Sequence, residues 1–253
     1  MRLRHAPFSD GEGAFLLCEL PGRSIIMKKF FCVLFALLLI AASAAAETVY
    51  VTISDGQGKI VLAHEAVDVA DADSDGALTV YDALYAAHEA HFEGGAEAGF
   101  AAGDMGYGLS LTRLWGEENG GSYGYYVNDA SAYSLTDPLA EGDRLHAFVY
   151  TDLESWSDLY CFFSEAEVIE CTPGENVSLT LNVQTYDADW NAVVSPMEGA
   201  TLTIDGEDAQ VITDAEGIAQ LSFGETGVYL VSARSDEAVL VPPVCIVNVV
   251  EAQ

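Results

Sequence analysis

The twelve residues from Asp71 to Asp82 constrain this chain more than any other stretch, because they prescribe a turn and the chemistry around it. Oxygen-bearing side chains stand at the first, third and fifth positions (Asp71, Asp73, Asp75), with Gly76 at the sixth, where a sharp turn needs a residue without a Cβ. Ala77 offers a backbone carbonyl, Thr79 a direct or water-bridged oxygen, and Asp82 a carboxylate at the twelfth position. That spacing is the pattern of a calcium loop, and the expected metal ligands are Asp71, Asp73, Asp75, Ala77, Thr79 and Asp82. The competing reading is a solvated acidic turn that caps the helix after it.

The chain opens with a segment, residues 1–26, of no evident order and restarts at Met27. Lys28 and Lys29 lead into an apolar run from Phe30 to Ile40, then small residues to Ala46. This reads as a signal peptide over 27–46, with 1–26 an over-extended start. Its removal takes three acids and five bases and leaves 37 acids against 4 bases, a net charge near −33. Nucleic acid and anionic membrane need a positive surface, so neither is expected as a partner. No stable membrane span is expected after cleavage. Cys161, Cys171 and Cys245 remain, and in an exported protein Cys171 with Cys245 is the favoured disulfide, each being at a strand edge of the later domain.

From Glu47 to Ser54 apolar and polar residues alternate, and Asp55 to Gly58 turn the chain back into Lys59–Val69, a β-hairpin. Val80, Ala83, Leu84 and Ala87 recur at helical spacing over Val80–His91. A strand replaces the entering helix of an EF-hand, so a paired sensor is not expected. His88 and His91 are three apart with no further zinc ligand nearby, which favours packing or surface roles. Gly94–Gly108 reads as a flexible connection. Strands are expected at Leu109–Trp115, Tyr123–Asn128 and Asp143–Tyr150. Strand, strand, helix, then strands predicts an α+β β-grasp domain over 47–153.

Two resemblances follow from these residues. The loop, closing with Asp82, resembles the calcium loop of dockerin modules, though in a single copy that implies no cohesin partner. The runs Val80–Leu84, Leu114–Gly116, Gly124–Asn128 and Glu141–Asp143 resemble the transcobalamin-like C-terminal domain family of secreted bacterial proteins. That resemblance implies a corrinoid such as cobalamin as one possible ligand, although the large helical barrel of the named relatives is missing. Trp115, Tyr123, Tyr125 and Tyr126 are the candidate ligand-stacking residues, for a flat ligand or a sugar. Alternation puts Tyr123, Tyr125 and Val127 on one face, and core is the favoured reading of that face over a ligand platform.

After a linker at 154–164, seven short alternating segments between Val168 and Val250 predict an all-β Ig-like sandwich over 165–251. Gly199–Gly206, Thr213–Gly217 and Gly227–Tyr229 resemble bacterial Ig-like surface domains. The chain has no phosphate loop and no cysteine–histidine signature, and its carboxylates are too many to be diagnostic. The expectation is a secreted, non-enzymatic, calcium-binding adhesion or binding protein. An extracellular protein, a glycan or a small molecule is the expected partner, with corrinoid capture and glycan recognition as alternatives.

Overall fold

The computed structural model describes residues 46–252, the side chain and backbone of position 107 excepted. The expected leader segments, 1–26 and nearly all of 27–46, lie outside the described residues. Of the described residues, 48% are in strands and 8% in helices.

The first half is built on β1 (Glu47–Ser54), which pairs antiparallel with β2 (Ile60–Val69) and parallel with β7 (Arg144–Val149). Strand β7 pairs in turn with β5 (Tyr123–Val127), which carries the short β6 (Ala130–Ser131) at the edge. Val49, Val51 and Ile53 project to one face of β1 and are buried with Ala83, Leu84 and Ala87 of the helix Val80–His91, so the sheet's period of two meets the helix's period of 3.6. A separate ribbon of β3 (Ala101–Asp104) and β4 (Leu109–Arg113) adds Leu111 to this core. Gly124 is required on β5, since a Cβ there would stand 2.2 Å from the Phe148 ring.

The second half has two five-stranded sheets. One contains β11 (Ala192–Pro196), β10 (Asn176–Tyr186), β8 (Leu159–Phe163) and β16 (Leu240–Val241), with β14 (Ile218–Ser222) on the first half of β10. The other runs β13 (Glu207–Ile212), β12 (Thr201–Ile204), β15 (Gly227–Arg234), β17 (Cys245–Val249), β9 (Val168–Cys171). Leu179, Leu181, Leu202, Val231 and Val247 fill the space between them.

These observations correct the expected fold class. The chain is mostly β in several sheets, β-sandwich-like, rather than an α+β β-grasp domain followed by an Ig-like sandwich. Two physical reasons account for the difference. Helical periodicity is confined to Val80–His91, and the glycine-rich stretch read as a flexible connection forms a five-residue helix, Gly95–Gly99, and then β3. The stretch read as a linker contains β8, whose Tyr160 lies flat on Tyr126 of β5 with ring centroids 3.6 Å apart. Phe148, Tyr160 and Val241 form a small core of their own between the halves, so the described residues make one compact unit.

The cysteine expectation is also corrected. Cys161, Cys171 and Cys245 are buried free thiols. Cys171 of β9 pairs with Val249 of β17 in a parallel register, four residues beyond Cys245, a separation of about 13 Å along the strand, where a disulfide needs Cα atoms within roughly 7 Å. Burial pushes the thiols of Cys161 and Cys245 up to about 12, which makes them packing residues.

Candidate functional site

The loop between β2 and the helix is organised by its own carboxylates. Asp71 accepts the N–H groups of Asp75 (3.1 Å) and Gly76 (2.9 Å), Asp73 accepts that of Asp75 (3.1 Å), and Asp75 accepts that of Ala77 (2.8 Å). Gly76 takes φ of +91°, a left-handed conformation that a Cβ would strain. At the end of the loop Asp82 is fully buried in the first turn of the helix. It accepts the Ala72 N–H at 2.7 Å through Oδ1, and the Thr79 N–H at 2.9 Å and hydroxyl at 2.8 Å through Oδ2. An acid at this position also faces the positive end of the helix.

One carboxylate oxygen from each of Asp71, Asp73 and Asp82 comes within 4.8 Å of the other two. A Ca²⁺ ion sits about 2.4 Å from each oxygen ligand, so oxygens sharing one ion are separated by no more than about twice that. None of the ion pairs among the described residues involves the loop. Asp73 is shifted upward, first by desolvation and then by repulsion from Asp75, Asp82 and Asp71, with its hydrogen bond to Asp75 opposing. An all-oxygen, triply anionic set without a base suits a hard divalent cation.

Of the four expected carboxylate ligands the structure brings three together. Asp75 stands outside the triad and turns one oxygen onto a backbone N–H, and the Thr79 hydroxyl is given to Asp82. Asp82 thus holds the loop closed as well as offering a ligand oxygen, a second role that its position in the pattern did not disclose.

The four aromatic candidates do not share a surface. Tyr125 is buried in the first core, and Tyr123 packs against that core with its hydroxyl on the carbonyls of Thr112 and Glu117. Trp115 packs on His88 and Phe92, and Tyr126 points to the opposite face of the sheet against Tyr160. His88 is fully buried with both ring nitrogens engaged. Nδ1 meets the Leu84 carbonyl at 2.6 Å and Nε2 accepts the Trp115 N–H at 2.9 Å, which fixes a neutral tautomer and leaves no nitrogen for a metal.

A second cluster went unread in the sequence. At the junction of the halves Arg144 pairs with Asp129 at 2.7 Å and Glu167 at 3.0 Å, Tyr160 donates its hydroxyl to Asp129 at 2.9 Å, and His64 lies against Glu167. His64 gets there through an irregularity in the β1–β2 register, with φ of +45°, its N–H on the Thr52 hydroxyl and its ring stacked on Tyr50. Beside it His146 is buried within 3.2 Å of the Ser54 hydroxyl, and burial pushes it down to about 4 despite the nearby Glu167. The signal available was scarcity, since Arg144 is one of only four bases after residue 46.

No protein-family model and no curated protein matches the chain. Among solved structures it is similar to a Bacteroides ovatus protein, the SGBP-B of a mixed-linkage glucan utilization locus, in complex with a mixed-linkage heptasaccharide. The identity is 11% over 60% of this chain and 64% of the other, less than two thirds of its length, with a TM-score of 0.18. Among the described residues no helix is long and apolar enough to cross a membrane.

Proposed function

We propose that this is an extracellular, non-catalytic binding protein whose first half is ordered by a calcium ion. The observation that carries the reading is the convergence of Asp71, Asp73 and Asp82 to within 4.8 Å with no base paired to them. Export is supported by the leader pattern of residues 27–46. The ion offsets the mutual repulsion of three carboxylates and holds the turn at Gly76. Asp82 carries that order into the helix, and the helix start passes it on. The Val80 and Tyr81 N–H groups bond to the carbonyls of Asp137 and Leu135, and the Leu139 N–H bonds to that of Leu78. The loop and the 134–139 segment are therefore expected to order together. Calorimetric titration with CaCl₂ tests this: a saturable heat that Asp71→Asn with Asp73→Asn abolishes supports it, and no heat together with no effect of chelator on melting sinks it.

A second reading, glycan recognition, is favoured by exposed aromatics other than the four read from the sequence. Trp190 is 82% exposed at the β10–β11 turn, its ring centroid 6.4 Å from that of the partly exposed Tyr186, and Tyr133 is 85% exposed. Flat, open rings next to hydroxyl and amide groups suit the apolar faces of neutral sugars better than an anion. A glycan array probed with the wild type and with Trp190→Ala decides it, and identical profiles end this reading.

A further inference from the structure

A cleft of about 550 Å³ separates the turn of the first hairpin from the outer face of the β12–β15 pair. Ile60, Leu230 and Pro242 give it apolar walls. Ser232, on β15, lines it and is only 7% exposed, and its Oγ has no hydrogen-bond partner among the described residues. Thr203 faces Ser232 directly across the strand pair, which places a second hydroxyl on the same wall. Buried hydroxyls are almost always paired, so an unpaired one on the wall of a cleft points to a partner that the described residues do not supply.

Charge narrows the chemistry. The bases after residue 46 are Lys59, Arg113, Arg144 and Arg234, and the three arginines are all ion-paired. Lys59, which lines the cleft, forms no ion pair among the described residues, in a chain with a large excess of acids. Arg234 also reaches the lining but is held by Asp208 and Asp236, and the lining Asp205 is occupied with the Leu230 N–H. One free positive charge among several carboxylates admits a single negative charge and disfavours a second. The volume lies within the roughly 300–1,000 Å³ of small-molecule sites.

We propose that this cleft is a binding site for a small organic monocarboxylate. The apolar walls hold its body, Lys59 supplies the counter-charge, and Ser232 supplies a hydrogen-bond donor. The site uses none of the residues of the calcium loop and goes beyond the function proposed above. The test is an NMR and fluorescence titration of the full chain with 2-naphthylacetate and, as the neutral control, 2-naphthylacetamide, each in CaCl₂ and in EGTA. Expected are saturable shifts of the Gly58, Gly206 and Ser232 amides and at least fivefold weaker binding of the amide. Lys59→Gln should weaken the acid fivefold or more and leave the amide unchanged. Ser232→Ala should weaken the acid severalfold while raising the melting temperature of the free protein, because it removes an unpaired buried hydroxyl. Chelation should leave the acid's affinity unchanged, so failure of the calcium reading would not affect this one. Equal affinity for acid and amide, wild-type affinity in Lys59→Gln, shifts confined to other surfaces, or no saturation at millimolar acid would each overturn the proposal.

Discussion

Asp71, Asp73 and Asp82 meet without a base, whereas Asp129 and Glu167 meet around Arg144. Both clusters gather acids at one place in a chain of strongly negative charge. The loop sits at the surface, where water and backbone N–H groups share the load, and its remaining charge is open to a soluble cation. The junction is wedged between two sheets, so its countercharge has to be built in, and the chain spends one of its few bases there. The contrast teaches where each cluster's stability comes from. The loop depends on what is dissolved in the solvent, while the junction depends on pH and on an intact Arg144.

The largest expected effect is acid lability of the buried histidines. Burial holds His88 down to about 4 against the pull of its Leu84 hydrogen bond, and burial likewise holds His146 down to about 4. Folded values below the unfolded one mean that the folded state binds fewer protons. The stability is therefore complete above pH 6.5 and is lost as pH falls towards 4, by roughly 3 kcal/mol for each histidine. Urea unfolding from pH 7 to 4 measures the loss, and NMR of the imidazole protons assigns it. Either ring titrating near 6.5 in the folded state would break the account.

Next comes Asp82→Ala, measured in EGTA so that metal plays no part. It strands three donors around a buried site and should cost about 3 kcal/mol. A loss below about 1 kcal/mol would show that water replaces the carboxylate and that the loop is not held from the helix end.

Arg144→Ala comes third. It leaves Asp129 and Glu167 without their shared partner, and because Arg144 is about one-third exposed the expected loss is about 2 kcal/mol rather than the larger figure for a dry pair. Small-angle scattering should also show the two halves less tightly joined. An unchanged profile and unchanged stability would mean that the Tyr126–Tyr160 stack and its small core hold the junction without the ions.

Calcium is expected to have the smallest effect. At millimolar concentration an extracellular-type site adds about 1 kcal/mol, a rise of roughly 2–4 °C in melting temperature. The rise should vanish in Asp71→Asn with Asp73→Asn and persist in Arg144→Ala. Loss in both would show that loop and junction are coupled.

Much of the local structure was legible in the residues. The hairpin at Asp55–Gly58, the helix over Val80–His91 and the loop's turn at Gly76 follow from alternation, helical spacing and a missing Cβ, all of which act within a few residues. The strand Leu159–Phe163 was not legible, because Leu159 to Phe163 is apolar throughout and follows a polar turn that reads as a linker. The two-sided role of Asp82 was half legible: the calcium pattern placed it, but its bond to the Ala72 N–H depends on how the loop folds over the helix.

By itself, then, the sequence determined the periodicities, the turn at Gly76 and the acidic set from Asp71 to Asp82, since those rest on backbone sterics and on ligand chemistry at fixed spacing. Only the tertiary structure decided which acids converge, that His88 spends both nitrogens on backbone groups, that Cys171 and Cys245 stand at opposite ends of a strand pair, and that Arg144 lies between Asp129 and Glu167. These arrangements depend on pairings such as Cys171 with Val249, 78 positions apart, and sheet register and packing set them. No local pattern encodes that distance. The acidic loop could be read from twelve residues, whereas the junction existed only once β7, β8 and the bulged β2 had been brought side by side.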